Sequence, residues 1–146
     1  MTNNFKALSK KILRVDYNFD ISVIGISSSV RDYRLCWFIN NALPLRFTRI
    51  DDLLIYSDFG EESYHSCFKF SMVNSETDLY LLSNKSGNSY IIPESKQTDF
   101  FIISTEILSE EDQKEFIQLL NKIEIVQSSY PIDPYSLKSK ENLLFF

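Results

Sequence analysis

Glycine and histidine are nearly missing from this chain: Gly25, Gly60, Gly87 and the lone His65 are all it has in 146 residues. A phosphate-cradling Walker loop or a dinucleotide fingerprint needs several glycines in one short stretch, so that backbone N–H groups can approach the phosphates. These three lie far apart, and both motifs are excluded. A zinc site of the usual His/Cys kind would have to gather residues scattered along the sequence, and no cofactor is implied. His65 sits in the strand-like run Tyr64-His65-Ser66-Cys67-Phe68, which predicts an imidazole on the polar face. Without a nucleophile elbow around it, a Ser-His-Asp arrangement is not expected.

Cysteine is scarce too. Cys36 and Cys67 are isolated in apolar surroundings, the pattern of reduced, packed thiols rather than of a disulfide. Excess positive charge is absent: the net charge is -5 and no basic run exceeds Lys10-Lys11, which speaks against a nucleic-acid partner held through its phosphates. There is no apolar run of about 18 residues to span a bilayer, and the first twenty residues show no signal-peptide pattern. The expectation is a cytoplasmic protein with no membrane partner.

What is present is an ordinary globular balance, 44% hydrophobic and 24% charged, in a length that suits one domain with one core over residues 1–146. Alternation at Leu13, Val15 and Tyr17, and then the β-branched run Asp20 to Ser29, predict one or two strands ending by Ser27. Ser27, Ser28 and Ser29 offer capping hydroxyls to a helix over Val30 to Leu43. From Pro44 onward, short apolar runs separated by Asp58-Phe59-Gly60, Asn74-Ser75 and Asn84 to Asn88 predict a meander of antiparallel hairpins, with Ser89 to Ile92 and Asp99 to Ser104 as its last strands.

Ser109 followed by Glu110, Glu111 and Asp112 marks a second helix start, with Phe116, Ile117, Leu119, Leu120 and Ile123 as its buried stripe. Ile123 to Gln127 reads as the closing strand, and residues 128–146 as an irregular segment docked on the body. The order β-α-β-meander-α-β predicts an α+β fold: a mostly antiparallel sheet with two helices on one face, a ferredoxin-like βαβ pair elaborated by an extra hairpin.

Two surfaces stand out. On the first helix, Leu35, Phe38, Ile39 and Ala42 fall on one side and Val30, Tyr33, Trp37 and Asn40 on the other. The second apolar face needs a cover, either the C-terminal segment or a partner, and Trp, Tyr and the nearby Arg34 are the residue types that dominate interface hot spots. The apolar terminus Leu143 to Phe146 poses the matching choice between docking on its own chain and adding to another.

The other surface is the segment Ser89 to Ile103. Pro93 must stop the pairing of the strand before it, whereas Phe100 to Ile103 is the uninterrupted apolar run of a strand buried on both faces. Glu94 and Asp99 between them are expected to accept turn amides or to pair with Arg34 rather than to work as an acid and base.

Ile92-Pro93-Glu94, three residues, then Thr98-Asp99-Phe100 resembles the signature element of the IPExxxVDY family of small bacterial proteins, and the likeness extends to Asp32 to Asn40 and to Lys138 to Phe145. Thr98 and Phe100 replace the Val and Tyr of that signature; the first keeps β-branching, and the second removes a hydroxyl that therefore cannot be essential here. The resemblance implies chain boundaries and a cytoplasmic location and supplies no catalytic residues. The sequence thus favours a non-catalytic module that binds another protein, or a second copy of itself, through Tyr33, Arg34, Trp37 and Asn40 of the first helix or through the C-terminal segment. The alternative is a ligand-binding or enzymatic site built from Arg34, Glu94 and Asp99.

Overall fold

The computed structural model describes residues 20–146; the alternation expected at Leu13, Val15 and Tyr17 lies outside them. Strand β1 (Ser22–Ser27) leads into helix α1 (Asp32–Ala42) and then into the meander β2 (Thr48–Tyr56), β3 (Glu62–Ser71) and β4 (Asp78–Ser83). A small hairpin, β5 (Lys85–Ser86) and β6 (Ser89–Tyr90), precedes β7 (Phe100–Ser104), helix α2 (Glu110–Asn121) and β8 (Ser128–Ile132). The main sheet has the order β2-β3-β4-β7-β1-β8, antiparallel at every pairing. Its β8-β1-β7-β4 half with α1 and α2 has the ferredoxin-like order, and the β2–β3 hairpin extends it at one edge. The fold is therefore α+β, as the order of elements predicts. Among the described residues no helix is long and apolar enough to cross a membrane.

Both helices cover one face of the sheet. Leu35 and Ile39 of α1 and Leu120 of α2 pack over Ile24, Ile26, Phe68, Leu79, Leu81, Phe100 and Ile102. On the opposite face, Val23, Cys67, Tyr80, Leu82, Phe101 and Ile103 lie under Ile91, Ile92, Leu137 and Leu143. Strand β7 is central and buried throughout, which is why its sequence runs apolar without alternating. Gly25 sits opposite Tyr130 in register, and a Cβ there would stand 2.5 Å from the tyrosine ring; its missing side chain makes room for that ring across the two strands. The outer strands are blunted. β2 is irregular between Ile50 and Leu53, where Arg49 reaches Asp52 at 2.7 Å, and β8 carries Pro131, which offers no ladder donor.

Several local expectations are corrected. Helix α1 is capped at Arg31 without a side-chain hydrogen bond, so the serine triplet does not cap it. Ser28 instead donates its hydroxyl to the Ile125 carbonyl and its amide to Asp99. The closing strand is Ser128–Ile132, not Ile123 to Gln127, because Ile123 and Val126 are drawn under the helices and the chain turns there before it can pair. Ile91 and Ile92 pair in no ladder of the main sheet; both are buried as part of the cover on its second face. The second helix starts as expected, with the Ser109 hydroxyl accepting from the Asp112 amide at 3.1 Å.

The C-terminal segment docks on its own chain but does not cover Tyr33 and Trp37. It lies on the opposite face of the sheet, where Leu143 is fully buried and the rings of Phe145 and Phe146 pack on Tyr80 at 5.0 and 5.5 Å. A terminus that is apolar at four positions goes where apolar surface is otherwise uncovered, and the helices leave that whole face open.

Candidate functional site

Tyr33 and Trp37, one helical turn apart on α1, remain 64% and 59% exposed. The inward stripe of that helix is Leu35, Cys36 and Ile39, with Phe38 half-buried at its flank. The Trp37 ring meets Phe38 edge-on at 5.1 Å, and the exposed Arg34 guanidinium lies 5.8 Å above the Phe38 ring. Arg34 is thus stacked on an aromatic face and forms no ion pair with Glu94 or Asp99, contrary to the expectation that a buried guanidinium would need an anion. The helix carries Arg34 out toward water, so no such anion is required.

Asn40 belongs to the scaffold. Its amide donates to the Phe47 carbonyl at 3.0 Å and its carbonyl accepts from the Phe47 amide at 2.9 Å, clamping the entry to β2. At the helix start, Asp32 accepts from the Tyr33 amide at 2.7 Å and approaches Arg49 at 3.5 Å.

The two carboxylates of the proline segment are joints, and they hold different things. Asp99 accepts the Ser28 amide at 2.8 Å, tying the start of β7 to the end of β1. Glu94 accepts both the amide and the hydroxyl of Ser139, at 2.8 and 3.0 Å, and so fastens the C-terminal segment. Partial burial pushes the Glu94 carboxyl up, but hydrogen bonds from its own amide, from Ser139 and from the Lys138 amide outweigh this and hold it below its usual value.

Arg34, Glu94 and Asp99 do not converge. A cleft of about 340 Å³ lined by Tyr56, Phe59, Ser63, Tyr90, Lys96 and Ser139 contains none of them. Asp99 lines a separate shallow hollow with Arg31 and Lys85.

Sequence reasoning overlooked the residues that hold this region together. Asn84, fully buried, donates to the carbonyls of Ser95 and Thr98 at 3.0 and 2.9 Å and accepts from the Ile92 amide at 2.9 Å. The Tyr130 hydroxyl meets Thr98 Oγ1 at 2.7 Å and Ser27 Oγ at 3.1 Å. Asn84 reads as a turn residue beside Lys85 to Asn88, and nothing in one sequence separates a turn asparagine from a buried one.

His65 is buried, not on a polar face. Ser83's carbonyl can only accept, so Nδ1 carries the proton at 2.9 Å from it, and Nε2 accepts from the Ser63 hydroxyl at 2.8 Å. Burial lowers the imidazole pKa, against a smaller opposing pull from the Ser83 carbonyl and Asp52. The folded protein therefore binds this proton less readily than the unfolded chain, and stability is lost as pH falls below the unfolded value of about 6.5. The melting temperature is expected to drop between pH 7 and 5, and His65→Gln to flatten that slope. An unchanged slope in the variant would assign the pH dependence to other groups. Both thiols are buried, and burial pushes Cys67 up to about 12.

No family model, curated protein or solved structure matches this chain.

Proposed function

We propose that this is a cytoplasmic, non-catalytic interaction module that binds another protein, or a second copy of itself, through the Tyr33 and Trp37 face of α1. The observation that carries this reading is the exposure of two large aromatic side chains on a helix whose opposite side is already packed on the sheet. Aromatic and arginine side chains pre-positioned on a rigid element suit an interface anchor, because little side-chain freedom is lost on binding. On this reading the element that resembles the IPExxxVDY signature is the joint that fixes the scaffold, and the enzymatic alternative lacks the converging polar groups it needs.

The test compares wild type with Trp37→Ala in two measurements. Since the indole is exposed, its emission should lie near that of free tryptophan and acrylamide should quench it readily. The substitution should change stability by no more than about 1 kcal/mol, since the half-exposed ring loses only its edge-on contact with Phe38. In affinity purification from native lysate and in sedimentation at rising concentration, the variant should lose a recovered protein or an associated species. Identical recovery and identical sedimentation would overturn the reading.

A further inference from the structure

The cleft of about 340 Å³ beside the C-terminal segment has aromatic walls: Tyr56 and Phe59 come from the β2–β3 hairpin and Tyr90 from β6. Tyr56 is 60% and Phe59 94% exposed. One ring standing in water is ordinary, but three around a single hollow make a patch of the kind that binds something. Neither Tyr33 nor Trp37 lines it.

The turn that carries Phe59 is fixed from within. Ser57 Oγ accepts from the amides of Phe59 and Glu61 at 3.2 and 3.1 Å, and Gly60, at a φ of 79° that favours glycine, donates its N–H to the Ser57 carbonyl at 2.9 Å. The opposite wall is held as firmly, since Ser139 is bonded to Glu94 and the Asn142 amide to the Ile91 carbonyl. A ligand entering here meets walls already in place, which lowers the ordering cost of binding.

The polar groups of the cleft select the ligand's charge. Lys96 places Nζ 5.6 Å from the Tyr90 ring centroid, so an incoming cation meets a like charge and an aromatic face already taken. Asp58 and Glu61 line the same cleft and repel an anion; among the described residues neither carboxylate forms an ion pair. What remains is an uncharged ligand that offers donors to the carboxylates, acceptors to the ammonium and an apolar face to the rings. A sugar ring has all three, because each hydroxyl both donates and accepts while its C–H face is apolar. The volume lies at the lower end for small-ligand sites and suits one or two such rings.

We propose that this cleft binds a neutral mono- or disaccharide, its C–H face on Tyr56 and Phe59 and its hydroxyls on Asp58, Glu61 and Lys96. The site is separate from the α1 face and does not depend on it.

The experiment titrates the isotope-labelled full chain with glucose, galactose, N-acetylglucosamine and maltose in turn, and with inorganic phosphate and choline as charged probes. At least one of the four sugars should shift the amide signals of Tyr56 to Glu61 and Asn88 to Tyr90 saturably, in the millimolar range, while neither charged probe does. Phe59→Ala removes a ring that supports nothing in the fold, and Glu61→Gln keeps the shape of the side chain; each should weaken binding by about 5-fold or more. No saturable shift with any of the sugars, shifts confined to the charged probes, shifts lying outside the cleft, or binding unchanged in both variants would each overturn the proposal.

Discussion

Replacing Asn84 with Ala is expected to destabilise the protein by about 3–5 kcal/mol, which places it among the more damaging single substitutions. Its amide is bonded to Ser95, Thr98 and Ile92, which are 7%, 1% and 0% exposed. Each buried backbone group left without a partner costs roughly 1–3 kcal/mol, and the small cavity that remains admits at most partial rescue by water. The backbone of Asn84 adds to the lock, with its N–H bonded to the Asp99 carbonyl and its carbonyl to the Ile91 amide.

The expected loss corresponds to about 10 °C or more in melting temperature for a domain of this size. Asn84→Asp separates hydrogen bonding from volume. It keeps the shape but turns a carboxylate oxygen toward two carbonyls, so it should be at least as damaging as Ala. If Asp is well tolerated while Ala is not, the cavity and not the bonding network is what matters.

The second large effect concerns the C-terminal cover. Leu143→Ala should cost about 2–5 kcal/mol, the range for a fully buried leucine whose surroundings collapse only in part. Removing Lys140 to Phe146 should cost more, because Phe145 leaves as well and Tyr80, Leu82 and Ile91 face water. The truncated protein should bind a dye that reports exposed apolar surface and should melt well below wild type. Phe146→Ala, by contrast, removes a ring that is already 51% exposed and should cost no more than about 1 kcal/mol. A truncated chain with an unchanged melting temperature would mean that this segment serves another molecule instead of its own sheet.

Glu94 connects the two predictions. Its carboxylate holds Ser139 immediately before the last turn, while the Asn142 amide donates to the Ile91 carbonyl at 2.9 Å. The proline segment that Asn84 fixes from inside thus fixes the C-terminal segment from outside. Losing either should loosen both, so Asn84→Ala and Leu143→Ala are expected to be less than additive when combined.

The sequence by itself determined the α+β class, the start of α2 at Ser109, the double burial of β7 and the end of strand pairing ahead of Pro93. Each of these is written in local chemistry: a capping hydroxyl, an uninterrupted apolar run, a residue with no N–H. It also showed that the first helix has more apolar surface than one sheet can cover.

Only the tertiary structure decided which faces are covered and by what. The terminus went to the sheet face opposite the helices, leaving Tyr33 and Trp37 in water. His65 and Asn84 went inside because backbone groups there needed partners, and Arg34 stayed outside, stacked on Phe38. Those outcomes depend on contacts between residues far apart in the chain, such as Glu94 with Ser139 and Ser22 with Leu108. Local spacing carries no information about which distant donor will meet a given acceptor, since that pairing is set by how the layers close over the core.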